Sequence, residues 1–305
     1  MRIAVVGAGA IGACFGAMLA EAGGEVSLIA RGAHLDAIRA NGLIIRHGDK
    51  TRTCRLAASD NAAEIGPVET VLLCVKLWSL EEAGAASRPL IGPNTMVVPL
   101  QNGIDALDRL APILGPQHLV GGIAQISAVI ESPGVVAQRS VFARIIVGER
   151  DGSRSERVRR FVDACTRGAI EARVSEAIEV ELWQKFVFIV GVSGATAYFR
   201  SSIGAVRSDP DTGEFLARLV EEAAAVGRAE GIPLPSDQTE RTMAVIAGLP
   251  EGTHGSMRDD LERGMRLELP WLCGRLAELG RKHGLPTPVN DTVVLGLKLY
   301  SEGRS

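Results

Sequence analysis

The sequence has few aromatic residues, few cysteines and no concentration of positive charge. Phe, Trp and Tyr make up 4% of the 305 residues, and the five cysteines include no CxxC pair. Scattered cysteines in odd number are typical of free thiols in a reducing compartment, so we expect a cytoplasmic protein. The net charge is −3 and no long run of Lys and Arg occurs. This argues against nucleic acid or a membrane surface as a partner.

Metal-binding motifs and a continuous apolar leader are also missing. The five histidines form no HExxH motif and no cluster of ligands, so we expect no metal ion. Residues 3–20 carry no charge, but the stretch contains four glycines, Gly7, Gly9, Gly12 and Gly16. Signal peptides and membrane spans are usually continuous apolar helices, so the glycines favour a strand followed by a tight turn.

What the sequence does contain is an alternation of short apolar runs with helical patterns, followed by long helical periods. Strands are predicted for "RIAVVGAG", "EVSLIAR", "TVLLCVK" and "MVVPLQNG", with helices after the first two and a hairpin around residues 47–50. Continuous apolar runs suit strands that are covered on both faces of a parallel sheet. The pattern therefore predicts an α/β fold, with a Rossmann-type doubly wound parallel sheet in residues 1–175.

The predicted domains meet at about residue 175. The strands in residues 118–150 are compatible with an extension of the same sheet. Beyond them we predict an all-helical domain in residues 176–305, with helices over 176–198, 211–230, 236–247, 257–283 and 291–302.

A glycine motif stands at the turn from the first strand to the first helix. "VVGAGAIG" supplies GxGxxG at Gly7, Gly9 and Gly12. This motif binds a dinucleotide when it follows a strand and opens a helix, because the helix N-terminus then receives the pyrophosphate. The alternative is a tight turn without a ligand.

The end of the second strand indicates which dinucleotide would bind. NAD-specific sites place an acidic residue about 20 residues after the glycines, where it holds the ribose hydroxyls. Here Ala30 and Arg31 occupy that place. An arginine attracts a 2′-phosphate, so NADP(H) is favoured over NAD. The alternative is that Arg31 is an exposed loop residue.

Three further polar residues follow apolar strands, and one lysine opens an apolar helix. Lys76 follows "VLLCV", and Gln101 and Asn102 follow "VVPL". Ligands of open α/β sheets gather beyond the carboxyl ends of the strands. Lys185 stands in "ELWQKFVFIVGVSGATAY", which is uncharged from Phe186 to Phe199. It marks either the solvent end of a core helix or a catalytic lysine beside a buried site.

Taken in order, these segments resemble the ketopantoate reductase (2-dehydropantoate 2-reductase) family. The matching pieces are "GAGAIG", "LIARGAHLDAIRANGL", "CVKLW", "PLQNGI", "ELWQKF", "SMRDDLERGMRLEL" and "GLPTPVND". They fall in order along nearly the whole chain. The resemblance implies an NADPH-dependent enzyme of pantothenate biosynthesis, with an N-terminal Rossmann domain and a helical C-terminal domain.

The resemblance also implies roles for individual residues. Lys185 would be the catalytic general acid, and Glu268 would help to arrange the active site, either near Lys185 or at the cofactor ribose. Ser256 would contact the substrate carboxylate. The cofactor residues would be Gly7, Gly9, Ala10, Ile11, Gly12, Arg31, Lys76 and Asn102.

The chain departs from the family pattern where the substrate is expected. Lys185, Ile189 and Ser193 lie four residues apart and therefore share one face of a helix. Family members that act on ketopantoate typically carry asparagines at the latter two positions, and another where this chain has Thr253. The residues predicted to contact the substrate are Asn102, Lys185, Ile189, Ser193, Thr253 and Ser256.

Three hypotheses follow. The first is an NADPH-dependent reductase of ketopantoate, and the second is the same chemistry on a more apolar 2-oxo acid, because Ile189 removes hydrogen-bonding groups. The third is a sensor that binds NADP without turnover. The partner would be a small-molecule 2-oxo acid, and the sequence is compatible with a homodimer.

Overall fold

The computed structural model describes residues 1–303, which form two compact units. The first comprises Met1–Gln101 and Asp105–Ile178, and the second comprises Asn102–Ile104 and the chain from Glu179 on. The assignment of the cofactor to residues 1–175 and of the substrate to residues 176–305 stays a prediction.

The first unit is built on a five-stranded parallel sheet. Its strands are β1 (Arg2–Val6), β2 (Glu25–Ile29), β5 (Ala57–Ser59), β6 (Thr70–Leu73) and β7 (Met96–Pro99). They lie in the order β5-β2-β1-β6-β7, and every pair is parallel. The order reverses between β1 and β6, and the crevice at such a switch point is where open α/β sheets bind ligands. The predicted α/β fold with an N-terminal Rossmann-type sheet is confirmed.

Helices cover both faces of this sheet. They are α1 (Ala10–Glu21), α2 (Gly32–Asn41), α3 (Leu80–Ala86) and α4 (Ala106–Leu114). Alternate β1 residues point to opposite sides. Ile3 and Val5 belong to a core cluster with Phe15 of α1, whereas Ala4 and Val6 belong to a cluster with Leu80, Leu107 and other residues of α3 and α4. Burial on both faces explains the continuous apolar run of β1.

Two smaller sheets accompany the main one. Their strands are β3 (Leu43–His47), β4 (Lys50–Cys54), β8 (Gly121–Gln125), β9 (Ala128–Ser132), β10 (Val135–Gln138), β11 (Arg144–Gly148) and β12 (Glu171–Val174), with α5 at Glu156–Arg167. One sheet has the order β4-β3-β10-β9 and the other β12-β11-β8. The expected extension of the main sheet by residues 118–150 is therefore wrong, apart from one parallel bridge between Val97 and Leu119.

The second unit is helical. Its helices are α6 (Ile178–Tyr198), α7 (Ile203–Ser208), α8 (Pro210–Ala229), α9 (Gln238–Ala247), α10 (Ser256–Glu262), α11 (Cys273–Lys282) and α12 (Pro288–Leu297). The helices α6 and α8 pack closely, since a Cβ on Gly191 would lie 2.6 Å from Val220 Cγ2. No helix within residues 1–303 has the length and apolar character that crossing a membrane requires.

One predicted helix is two helices in the structure. The periodicity of residues 257–283 predicts a single helix, but α10 ends at Glu262 and α11 begins at Cys273. Gly264 has φ +67, and Pro270 is the second residue of a short 3-10 helix, Leu269–Trp271. A left-handed residue and a proline both end an α-helix. Glu268 lies in this break, as the residue that caps the 3-10 helix.

Candidate active site

The glycine motif forms the turn between β1 and α1. Gly7 has φ +91, and a Cβ there would lie 2.8 Å from the Val75 nitrogen. A Cβ on Gly12 would lie 2.4 Å from the Gly7 carbonyl oxygen. Neither position has room for a side chain, because the strand and the helix approach so closely here.

Gly9 differs from the other two glycines. A Cβ built on it meets no atom within 4 Å, so its backbone faces open space. Gly9 is also the N-cap residue of α1, and it has no side chain that could accept a hydrogen bond from the first N–H groups of the helix. The first N–H groups of a helix, here from Ala10 onward, have no partner within the helix and form a place for an anion. The turn is therefore closely packed against the protein at Gly7 and Gly12, and it leaves space for a ligand at Gly9.

A cavity of 940 Å³ opens beside this turn, within the first unit. Four of the predicted cofactor residues line it, namely Gly7, Gly9, Arg31 and Lys76. Ala10, Ile11, Gly12 and Asn102 are not among its lining residues. Many of the lining groups come from the carboxyl ends of β1, β2, β5 and β6, which is where a parallel sheet places its ligands, and others come from α3.

Sequence reasoning missed several residues of the cavity. They include His34, Asn61, Glu64, Trp78 and Glu82. Trp78 was contained in the quoted "CVKLW", and Lys76 Nζ lies 5.6 Å from its ring centroid. Asn61 and Glu64 follow the carboxyl end of β5, which is where ligand-binding residues are expected. They were missed because this three-residue strand was not predicted.

Arg31 ends the loop after β2 and forms an ion pair. Its Nη1 lies 3.0 Å from Glu82 Oε1 of α3. The two side chains are 68% and 66% exposed, so the pair is solvated. Solvated pairs are worth at most about 1 kcal/mol. Arg31 is consequently available to a stronger anion.

Gln101 and Asn102, which follow β7, differ in how deeply they are buried. Gln101 is buried, and its Nε2 donates to the carbonyls of Leu73 at 2.9 Å and Val75 at 3.1 Å. Gln101 thereby fixes the loop that leads from β6 to Lys76. Asn102 is only partly buried.

Lys185 lies in the first half of α6, where it is partly buried. Burial lowers its pKa to about 8, and the charge of Glu268 opposes that shift. Glu268 is itself buried, at 6% exposure, in the break between α10 and α11. A lysine with a pKa of about 8 is protonated at neutral pH and releases its proton readily, which suits a general acid.

The α6 face beyond Lys185 meets the loop before α10. Ser193 is 5% exposed. A Cβ on Gly255 would lie 2.4 Å from Ser193 Oγ, and the Gly255 N–H donates to Thr196 Oγ1 at 3.1 Å. The structure thus brings Ser193 to the segment that carries Thr253 and Ser256.

Other residues of this face and loop have more open settings. Ile189 and Thr253 are partly buried, and Ser256 is exposed as the first residue of α10. The Thr253 carbonyl accepts from the Ile203 N–H at 2.7 Å. The loop before α10 is therefore held by its backbone, which leaves the Thr253 and Ser256 side chains out of those bonds.

Both parts of the chain match one protein family. Residues 3–152 match the family described as "Ketopantoate reductase PanE/ApbA", and residues 177–301 match its C-terminal part. The chain belongs to the ketopantoate reductase family. It is thus an oxidoreductase of the 2-dehydropantoate 2-reductase type with a small-molecule substrate, as the sequence segments predicted.

Individual relatives agree over nearly the full length of the chain. A 2-dehydropantoate 2-reductase of Mesorhizobium japonicum is 32% identical over 96% of this chain and 96% of its own. One from Halobacterium salinarum is 30% identical over 96% of both chains. A solved PanE/ApbA family ketopantoate reductase from Ralstonia eutropha JMP134 has a TM-score of 0.90 at 26% identity and covers 99% of this chain and 98% of its own.

Metal-ligating groups and the cavity thiol were compared with what metal binding and thiol chemistry require. Within residues 1–303, no group of three or more His, Cys, Asp or Glu residues is placed to hold a metal ion. Cys74 lines the cavity, but burial raises its pKa to about 12. A thiol with such a pKa is not a nucleophile at neutral pH.

Proposed function

We propose that the protein reduces a 2-oxo acid to a 2-hydroxy acid with NADPH, and that ketopantoate is the substrate by family default. The observation that carries the proposal is the setting of Lys185, which is partly buried in α6 where the charge of the buried Glu268 acts on it. Family membership over both parts of the chain supports the reaction class.

The cavity in the first unit fits a dinucleotide. Gly9 leaves open space at the N-terminus of α1, where the N–H groups would hold the pyrophosphate. Arg31 would bind the 2′-phosphate of NADPH, because a guanidinium and a phosphate form charge-assisted, bidentate hydrogen bonds. Lys76 and Asn102 would serve the ribose and nicotinamide end, as the family resemblance implies.

Lys185 would complete the reduction by protonating the substrate. Bound NADPH would supply the hydride for the ketone carbon and would leave as NADP⁺. The carbonyl oxygen then carries the electron pair of the broken π bond, and it takes a proton from the Lys185 ammonium. A preorganised charge beside that oxygen stabilises the transition state and delivers the proton.

Glu268 would tune Lys185. Desolvation favours the neutral amine, whereas the Glu268 carboxylate favours the ammonium. The balance keeps the lysine protonated at neutral pH but close to its pKa. Replacement of Glu268 by a neutral residue would therefore lower the lysine pKa.

The α6 face supports a second candidate substrate. Ile189 lies one turn beyond Lys185 and offers no hydrogen bond, and Ser193 is packed against Gly255. A site that recognises the hydroxyl of ketopantoate needs donors and acceptors there. A more apolar 2-oxo acid, held through its carboxylate by Ser256, is therefore the alternative substrate.

A substrate panel tests both candidates. NADPH oxidation would be followed spectroscopically with ketopantoate, with branched-chain 2-oxo acids and with pyruvate. We expect turnover of at least one, and a higher kcat/KM for a branched-chain acid than for ketopantoate would favour the apolar substrate. Tight NADPH binding without turnover of any acid would identify a sensor and contradict the proposed reaction.

A further inference from the structure

The ion pair between Arg31 and Glu82 stands in the wall of the dinucleotide cavity. Both side chains line the cavity, and the two residues are 51 positions apart in the sequence. Arg31 caps the N-terminus of α2, and Glu82 lies in the first turn of α3. The one arginine at the expected 2′-phosphate position therefore already has an anionic partner within the protein.

The face of α3 that lines the cavity consists of small residues apart from Glu82. Ser79, Glu82, Ala83 and Ala86 line the cavity, and their spacing places them on one side of the helix. The neighbouring Glu81 has another partner, since it accepts from Arg109 Nε of α4 at 2.7 Å. Of the two charged residues in α3, Glu82 faces the cavity.

The other carboxylates of the cavity have partners of their own. Asp60 lies 3.6 Å from Arg39 Nη2, and the Glu64 carboxylate accepts from the Ser59 hydroxyl at 2.5 Å. Glu82 is thus the carboxylate that a 2′-phosphate would meet at Arg31. A phosphate carries more charge than a carboxylate and offers three acceptor oxygens, so it would take over the guanidinium.

We propose that Glu82 sets the nucleotide preference of this protein by acting as a displaceable counter-ion of Arg31. A nucleotide with a 2′-phosphate has to break the Arg31–Glu82 pair, whereas one with a free 2′-hydroxyl leaves the pair intact. Glu82 therefore lowers the affinity for NADP and leaves the affinity for NAD unchanged. The preference for NADP over NAD that Arg31 provides becomes smaller. This inference rests on the proposed role of the cavity in cofactor binding.

Calorimetry with the adenosine halves of the two cofactors tests the inference without turnover. Adenosine 2′,5′-bisphosphate and AMP would be titrated into the wild type, Glu82→Gln, Arg31→Ala and the double variant. We expect Glu82→Gln to tighten the bisphosphate by about fivefold, the upper range for breaking a solvated pair. AMP binding should not change, and in the Arg31→Ala background the gain should vanish.

A matched variant separates the pair from the general charge of the cavity. Glu64→Gln removes a carboxylate from the same cavity without touching the Arg31 pair, so it should leave the ratio of the two affinities unchanged. Equal gains for both nucleotides, a weaker bisphosphate affinity in Glu82→Gln, or no change would overturn the role of Glu82. Failure of the wild type to bind either nucleotide would overturn the cofactor site itself, together with the inference that rests on it.

Discussion

The two units of the protein build their proposed sites from different materials. At the glycine turn of the first unit the ligand-facing groups belong to the backbone, because Gly7 and Gly12 leave no space for a side chain and Gly9 presents its backbone to the cavity. In the second unit they belong to side chains, with Lys185 in helix α6 and Glu268 in the break before α11.

The difference predicts how each site responds to change. A site made of backbone is tied to the packing of its strand and helix, so most substitutions there disturb the fold as well as the ligand. A site made of helix side chains can exchange them while the helix stays in place. The positions that depart from the family pattern, Ile189, Ser193 and Thr253, lie in the second unit. The glycine motif in the first unit keeps all three glycines.

The largest effect is expected at Lys185. Lys185→Ala should lower kcat for 2-oxo acid reduction by about 10²–10⁴-fold, the range that general acids contribute. NADPH binding and thermal stability, measured by fluorescence titration and calorimetry, should change little. The exposed Lys298 of the same unit offers the matched control, since Lys298→Ala should keep full activity. An unchanged kcat in Lys185→Ala would show that Lys185 is not the general acid.

The glycines separate the fold from the ligand in the first unit. Gly9→Ala should fold normally, because its Cβ meets no protein atom, but should weaken NADPH binding by about 1–3 kcal/mol, the cost of overfilling a close contact. Gly12→Ala should also lower the melting temperature, since its Cβ collides with the Gly7 carbonyl. As a control, Gly252→Ala places a methyl in open space in the second unit. Equal NADPH affinity in Gly9→Ala and the wild type would contradict a pyrophosphate at this turn.

The sequence alone located the glycine turn, whereas it left the role of the helical lysine open. A glycine that needs φ +91 or a close approach can be recognised from spacing, and the GxGxxG turn lies where the motif predicted it. Lys185 was ambiguous until the family resemblance assigned it a role. Glu82 was missed, because α3 was not predicted and its approach to Arg31 joins residues that are distant in sequence.

Arg31 tests the cofactor preference of the first unit. Arg31→Ala should raise the KM for NADPH by about tenfold, since a charge-assisted hydrogen bond contributes about 1.5 kcal/mol or more. The KM for NADH should change much less, because NADH has no 2′-phosphate. Steady-state kinetics with both cofactors measure the ratio. Equal increases for the two would place Arg31 away from the 2′-phosphate.

The smallest effect is expected from returning an amide to α6. Ile189→Asn should raise kcat/KM for ketopantoate relative to a branched-chain 2-oxo acid by about fivefold, the order of one added hydrogen bond. The KM for NADPH should stay constant, because the change lies in the side-chain site. The exposed Val245→Asn in α9 is the control for an added amide elsewhere. A shift in cofactor KM without a shift in substrate preference would contradict the division between the two units.

The most direct test of the account is the pH dependence of kcat/KM for the 2-oxo acid. Burial lowers the pKa of Lys185 to about 8, and the ammonium is lost as the pH rises through that value. We predict that kcat/KM falls by about tenfold per pH unit above about pH 8. In Glu268→Gln the fall should begin at a lower pH, because the charge that raises the lysine pKa is removed. A profile without a break between about pH 7 and 10, or a break that Glu268→Gln leaves in place, would contradict the roles proposed for Lys185 and Glu268.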